Sequence, residues 1–470
     1  MLATCKTALP RAWLLAPIFF LVLGTWGGRP CQAEPPFTIE TADDGGLSNV
    51  GLYTSIQVDG GNNPCISYYD QDNGNLKYAH KSGGIWTSEP ADNSPSDVGL
   101  FTSLALDASG NPHISYLDGT GRLMYAHKSG GIWLKETVDA QGDDWSNTSI
   151  VLNALGEPRI GYYDSTHGDL RYASKSGGSW TLETAVSTGN VGNYCSLKLD
   201  SQGNPHISYY DQTSGNLEYA SKSGGTWSTE VADGSADNTG LYTSLALDFS
   251  DRPHISFFDL TNGHLEYATK SGGLWSVQLI DDFDPNIGWY TGIDLDVGGN
   301  PRIAYYDAFY GDLTYARRVA GSWEILYVDI SLSDVGAYAS LAMDGSGKPH
   351  MSYYDAAGNL LYAVGPAEAA VGVAELPGAG PGRLALYPNP SVGGRINIRL
   401  GSARREGVTA VEILDLGGRR IRRLGLDGSG GASWDGRDEN GRLVEAGIHF
   451  VLPIGESGRA GQAQRLVLLH

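Results

Sequence analysis

Seven aspartates at near-constant spacing are the first residues in this chain whose type and placement could do chemistry. Asp70, Asp118, Asp164, Asp211, Asp259, Asp307 and Asp355 each close a run such as His-Ile-Ser-Tyr-Tyr-Asp, at steps of 48, 46, 47, 48, 48 and 48 residues. A carboxylate there can hold Ca²⁺, accept sugar hydroxyls, or cap its own turn; the Asp-x-x-x-Gly spacing that follows favours the cap. A second recurring set is aromatic. Tyr53, Phe101, Tyr194, Tyr242, Tyr290 and Tyr338 share one repeat position, with Asn147 in the third unit. Flat rings beside carboxylates suit hydroxylated ligands, through stacking and hydrogen bonding.

Other recurring residues carry less. The position after each turn proline holds Cys65, His113, Arg159, His206, His254, Arg302 and His350. Four histidines suggest a metal, but ligands must lie within a few ångströms of one another, and equivalent positions of a ring stand apart. Turn contacts are the expectation. Trp86, Trp133, Trp180, Trp227, Trp275 and Trp323 follow a Gly-containing turn and read as filling rather than as sugar platforms. Glu40, Glu89, Glu136, Glu183 and Glu230 share an outer-strand position and read as a solvated face. They are not paired as a glycosidase requires, and no Ser-His-Asp order appears.

The elements that position these residues follow from the repeat. A period of 20–50 residues marks a solenoid, propeller or array. Each unit has four short runs rich in β-branched and aromatic residues, separated by Asp-x-x-Gly-x-Pro, Asp-x-x-x-Gly-x-Leu and Lys-Ser-Gly-Gly-x-Trp turns. Runs joined so tightly pair as antiparallel neighbours, and four-stranded units of this length match propeller blades. The seventh unit lacks its Trp strand, whereas Phe37–Asp43 at the other end aligns with Trp180–Val186. The sequence therefore predicts an all-β fold: a seven-bladed propeller over 37–364, closed by its N-terminal strand. Alternation of strand direction puts Tyr53, Tyr194, Tyr242, Tyr290 and Tyr338 on the same face as Asp70, Asp211, Asp259, Asp307 and Asp355. The variable, acidic loops 91–100, 139–146, 232–241 and 280–289 share that face. Those ten residues are the expected ligand-binding set, arranged as shallow repeated sites. No catalytic residue and no cofactor is assigned, although the aspartates could hold Ca²⁺.

Residues 1–33 carry Lys6 and Arg11, an apolar run at 12–23 and a small residue at Ala33. This is the pattern of a secretory signal cleaved after Ala33, and the run is too short to span a bilayer. Cys5 and Cys31 leave with it; Cys65 and Cys195 sit in the first and fourth units and are expected to be free, buried thiols. The whole chain has net charge −21, yet residues 383–470 hold 13 Arg, no Lys and 9 acids. An acidic propeller argues against nucleic acid and anionic membranes as its partners. A Gly/Pro/Ala-rich stretch, 365–383, reads as a linker, and the alternating runs of 384–470 as a small β-sandwich.

Two resemblances accompany this reading. Tyr387-Pro-Asn-Pro, Asp415-x-x-Gly-Arg and Trp434-Asp-Gly-Arg-Asp-x-x-Gly-Arg-x-Val-x-x-Gly-x-x-Phe450 resemble the Ig-like domain of flagellar hook-capping proteins and C-terminal type IX secretion sorting domains. This implies sorting or surface attachment through the secretion machinery, although the chain ends in His470 where such domains commonly end in a basic residue. The repeats loosely resemble secreted bacterial propellers of the Asp-box and lectin kind, with the Asp-Gly and Gly-Trp turns separated here. The resulting expectation is a monomeric, secreted or cell-surface binding protein for a glycan or other surface ligand, held multivalently. The alternatives are a glycoside hydrolase or lyase and a structural scaffold.

Overall fold

In a computed structural model, residues 37–368 are described apart from 142–146, 284, 320 and 332. Beyond them the described residues are 384–387, 391–392, 396–400, 408–415, 419–426, 431–444, 447–455, 458–459 and 464–469. The proposed signal segment, most of the linker and His470 lie outside them.

The described residues form strands and turns only, and the repeats become seven four-stranded antiparallel sheets in a propeller-like arrangement. The first sheet runs Val50–Val58, Pro64–Asp70, Asn75–Ser82, Ile85–Asp92. Its second strand is buried along its whole length, as befits a strand covered on both faces. The last sheet joins Val335–Met343, Pro349–Asp355 and Asn359–Val364 to Thr38–Asp43 from the other end of the propeller. Thr38 pairs with Val364 and Thr41 with Leu361, so the predicted closing strand is in place.

Successive sheets are tied at their inner strands. The backbone N–H of Leu104, Ile150, Leu197, Leu245 and Ile293 donates to Ser55, Ser103, Ser149, Ser196 and Ser244 of the preceding sheet, at 2.9–3.2 Å. The seventh sheet departs, because Gly292 replaces the serine and Asp294 instead accepts from Met343 N–H at 2.7 Å. The circuit returns to its start where Ile56 N–H donates to Ser340.

The outer strands interlock differently. Every outer aromatic packs edge-on or steeply against a tyrosine of the preceding sheet. Trp133 meets Tyr78, Trp180 Tyr125, Trp227 Tyr172, Trp275 Tyr219 and Trp323 Tyr267, at 5.2–5.5 Å between centroids. Trp86 meets Tyr362 at 5.0 Å, and Phe37 takes the tryptophan's place against Tyr315 at 5.9 Å. The repeated glutamates are corrected here: they are not a solvated face. Glu136 accepts from Lys175 Nζ at 2.5 Å and from Trp180 Nε1 at 2.9 Å, both of the next sheet. Glu40, with Lys81 and Trp86, and Glu230, with Lys270 and Trp275, repeat that clamp. Such half-exposed ion pairs contribute about 0–1 kcal/mol each, whereas burying one large aromatic contributes roughly 1.5–3 kcal/mol. The aromatic interlock therefore dominates each seam.

The expected linker begins on the ring rather than free of it. Gly365 N–H donates to Pro349 O at 2.9 Å. Glu368 accepts from the buried Arg302 at 2.6 Å and from Tyr315 OH at 2.9 Å. Further on, a sheet of Leu384–Tyr387, Ile396–Leu400 and Gly431–Trp434 faces a larger one built on Val408–Leu414, Gly447–Gly455 and Gln464–Leu469. Ile396, Ile398 and Trp434 from one and Val411, Ile413, Val451 and Leu466 from the other share one core.

Candidate functional site

The repeated tyrosines do not form separate sites. They meet at the axis. Tyr53 lies 4.8 Å from Tyr338, Tyr338 4.6 Å from Tyr290, Tyr290 4.7 Å from Tyr242, and Tyr242 4.6 Å from Tyr194, between ring centroids. Phe101 continues the collar 4.3 Å from Tyr53. All are half-buried and line one cavity of about 310 Å³, with Asn147 completing the circle and Thr54, Thr102, Thr148, Thr243 and Thr291 beside them.

The backbone puts them there at a cost. Tyr53, Phe101, Tyr194, Tyr242, Tyr290 and Tyr338 all have φ between 52° and 57°, the left-handed region. The pairing of each of these six inner strands shifts register at this point, as between Leu52 and Ser55. Without the shift the aromatic would alternate away from the axis. Strain of about 1–2 kcal/mol per residue is imposed six times around one cavity. The glycine two residues earlier makes room: Gly99, at φ 107°, would bring a Cβ to 2.7 Å from Leu76 Cα.

The collar tyrosines act on one another electrostatically across the cavity. Burial first, then neighbouring hydroxyls, holds Tyr53 and Tyr290 well above the usual phenol range. They remain neutral. The threonines are partly spent on the frame: Thr54 donates to Tyr338 O, Thr148 to Phe101 O and Thr291 to Tyr242 O, at 3.0–3.1 Å. Chemically, the lining offers aromatic faces, neutral hydroxyls and one amide, which suits binding of an uncharged polar ligand.

The aspartates of the same expected set go elsewhere. Asp70, Asp259, Asp307 and Asp355 are buried, and Asp211 nearly so. Each caps its own turn. Asp211 accepts from Thr213 N–H at 2.8 Å, Asp259 from Thr261 N–H at 2.8 Å, and Asp355 from Ala357 and Asn359 N–H at 3.0 Å. Asp70 takes Asn73, and Asp307 takes Phe309 and Tyr310. With backbone donors filling these carboxylates, they fit a turn frame better than a cation shell. Among the described residues no group of three or more His, Cys, Asp or Glu is placed to hold a metal. No described helix is long and apolar enough to cross a membrane.

The histidines are turn contacts, as expected from their spread. His254 Nδ1 lies 2.5 Å from Tyr267 OH with Nε2 3.5 Å from Asp248, and His350 repeats this with Tyr362 and Asp344 at 2.7 and 3.2 Å. Burial pushes His113 down to about 4. Cys65 and Cys195 are buried and unpaired, their thiols pushed up by burial to about 11 and about 12.

Sequence reasoning missed the clamps and the inter-sheet tyrosine bonds, in which Tyr116 OH donates to Asp92 and Tyr162 OH to Asp139 at 2.7 Å. A signal was present. Where the repeated Glu becomes Gln278 and then Leu326, the Lys of the following unit becomes Arg318 and then Gly365.

No protein-family model and no curated protein matches the chain. Solved structures resemble it in fold. A fungal alcohol oxidase of the AA5 family, solved with copper, aligns at TM-score 0.51 and 12% identity, over 93% of this chain and 100% of that one. The Aleuria aurantia fucose-recognising lectin, a six-bladed β-propeller, aligns at 0.43 and 15% identity over 62% and 98%. PorZ of Porphyromonas gingivalis, a surface component of the type IX secretion system, aligns at 0.46 and 11% identity over 89% and 59%. At these identities the likeness is one of β-propeller fold.

Proposed function

We propose that this chain is an exported binding protein whose seven sheets are the blades of one closed propeller, with a carbohydrate taken up at the axial collar. The observation that carries the reading is the collar itself: six aromatic residues in left-handed backbone, aimed at one cavity. Strain repeated at a single place is retained when the place has a use, and aromatic faces with neutral hydroxyls match a sugar. In this reading Tyr53, Tyr194, Tyr242, Tyr290 and Tyr338 contact ligand, while Asp70, Asp211, Asp259, Asp307 and Asp355 hold the surrounding turns. The 384–470 part is Ig-like and serves sorting or surface attachment outside the cell, and the chain acts as a monomer.

A second reading is favoured by the ring-to-ring contacts of 4.3–4.8 Å: the collar is a structural plug. A glycan array with purified protein separates the two. Tyr242→Ala with Tyr290→Ala should abolish binding while the protein stays folded. Leu155→Ser, at an exposed Asp-x-x-Gly-type turn on the other face, should bind as the parent does. Binding unchanged by the tyrosine pair, with a large fall in melting temperature, supports the plug instead.

A further inference from the structure

The collar is not seven-fold. Five consecutive units supply tyrosines packed ring against ring in one arc, from Tyr194 through Tyr242, Tyr290 and Tyr338 to Tyr53. The two remaining units break it with Phe101, which has no hydroxyl, and Asn147, which has no ring. The arc of tyrosines has two ends, one beside an apolar wall and the other beside an amide carrying two donors and an acceptor.

The neighbouring hydroxyls are occupied: Thr148 donates to Phe101 O and lies 2.8 Å from Ser115 Oγ, while Thr102 is bonded to Ser67. Among the described residues, the Asn147 amide has no such partner and lines the cavity.

Size and access add a second constraint. A volume near 310 Å³ is at the small end of the range of about 300–1,000 Å³ for ligand sites. Walls from every sheet surround it, so a ligand enters along the axis and not across it. A polymer lying flat cannot reach the tyrosines; a chain end can.

Resting on the carbohydrate reading above, we infer that the axial cavity recognises one terminal sugar unit in a single orientation, with Asn147 as its hydrogen-bonding anchor. Phe101 is the apolar wall facing the tyrosine arc, and the two residues set specificity. The repeat symmetry then builds the site, and its one broken sector orients the ligand.

The test uses the full chain on an array of spacer-linked glycans. Each hit is re-examined with its terminal unit removed, and by competition with the methyl glycoside of that unit. Binding should vanish when the terminal unit is removed, and the methyl glycoside should compete. Asn147→Ala and Asn147→Asp should weaken the hit by about 3- to 10-fold, the loss of one hydrogen bond, with an unchanged melting temperature. If hits depend on internal units, or the Asn147 variants bind as the parent does while Tyr242→Ala abolishes binding, this inference is wrong and the collar reading stands. If the parent chain binds no glycan, or Tyr242→Ala leaves binding intact, the collar reading falls and this inference with it.

Discussion

At the scale of single residues, substitutions within the repeat show what each position does. Lys77 and Arg171 occupy the third position of the third strand and pair with Asp43 and Asp139 of the preceding sheet, at 2.5 and 3.9 Å. In the fifth unit that position is Glu266, and Phe257 replaces the tyrosine whose hydroxyl elsewhere reaches the same aspartate. Burial, then the carboxylates of Asp233, Asp259 and Asp237, pushes Glu266 up to about 7. The unfolded chain releases this proton near the ordinary value of 4.5, whereas the folded chain holds it until about 7. Ionised Glu266 therefore destabilises the fold increasingly between those values, and fully above 7. Glu266→Gln should raise stability at pH 8 by about 1 kcal/mol, discounted for the water that still reaches the side chain, and change little at pH 5. Thermal melts at the two pH values check this; equal shifts at both would refute it.

At the scale of elements, the repeat made the strands and their order readable, because Gly, Asp and Pro mark every turn and Phe37 occupies the missing tryptophan position. The turn-capping role of the aspartates was readable from Asp-x-x-x-Gly for the same reason. The convergence of the tyrosines was not. Strand alternation places them on a face, but only the bulge and its left-handed residue turn them to the axis, and Val-Gly-Leu-Tyr does not announce a register shift. The clamp glutamates were misjudged because their partners lie about 40 residues away, in the next sheet. The seam between the last two sheets has neither clamp lysine nor glutamate; Leu326, Phe37 and the Arg302–Glu368 pair fill it. Phe37→Ala should cost about 2 kcal/mol, a partly buried large-to-small change, seen as a lower denaturation midpoint. No shift would show that the N-terminal strand does not close the ring.

At the scale of the whole molecule, contacts with the propeller sheets continue past Val364 to Glu368. A chain shortened to residue 368 should fold and bind as the full chain does, yet accumulate in a different cellular location. One shortened to 364 loses the Glu368 bonds to Arg302 and Tyr315, leaving a buried guanidinium with fewer acceptors, which costs roughly 3 kcal/mol. Fractionation and melting of the two chains separate sorting from stability; identical melts would remove the latch. The central claim is that ligand is taken at the axis. The most direct measurement is a crystal structure of the full chain soaked with the tightest glycan found on the array. This account predicts the terminal unit among Tyr53, Tyr242 and Tyr290, with a hydrogen bond to Asn147. Ordered glycan at a seam between sheets, with the collar empty of sugar, would contradict it.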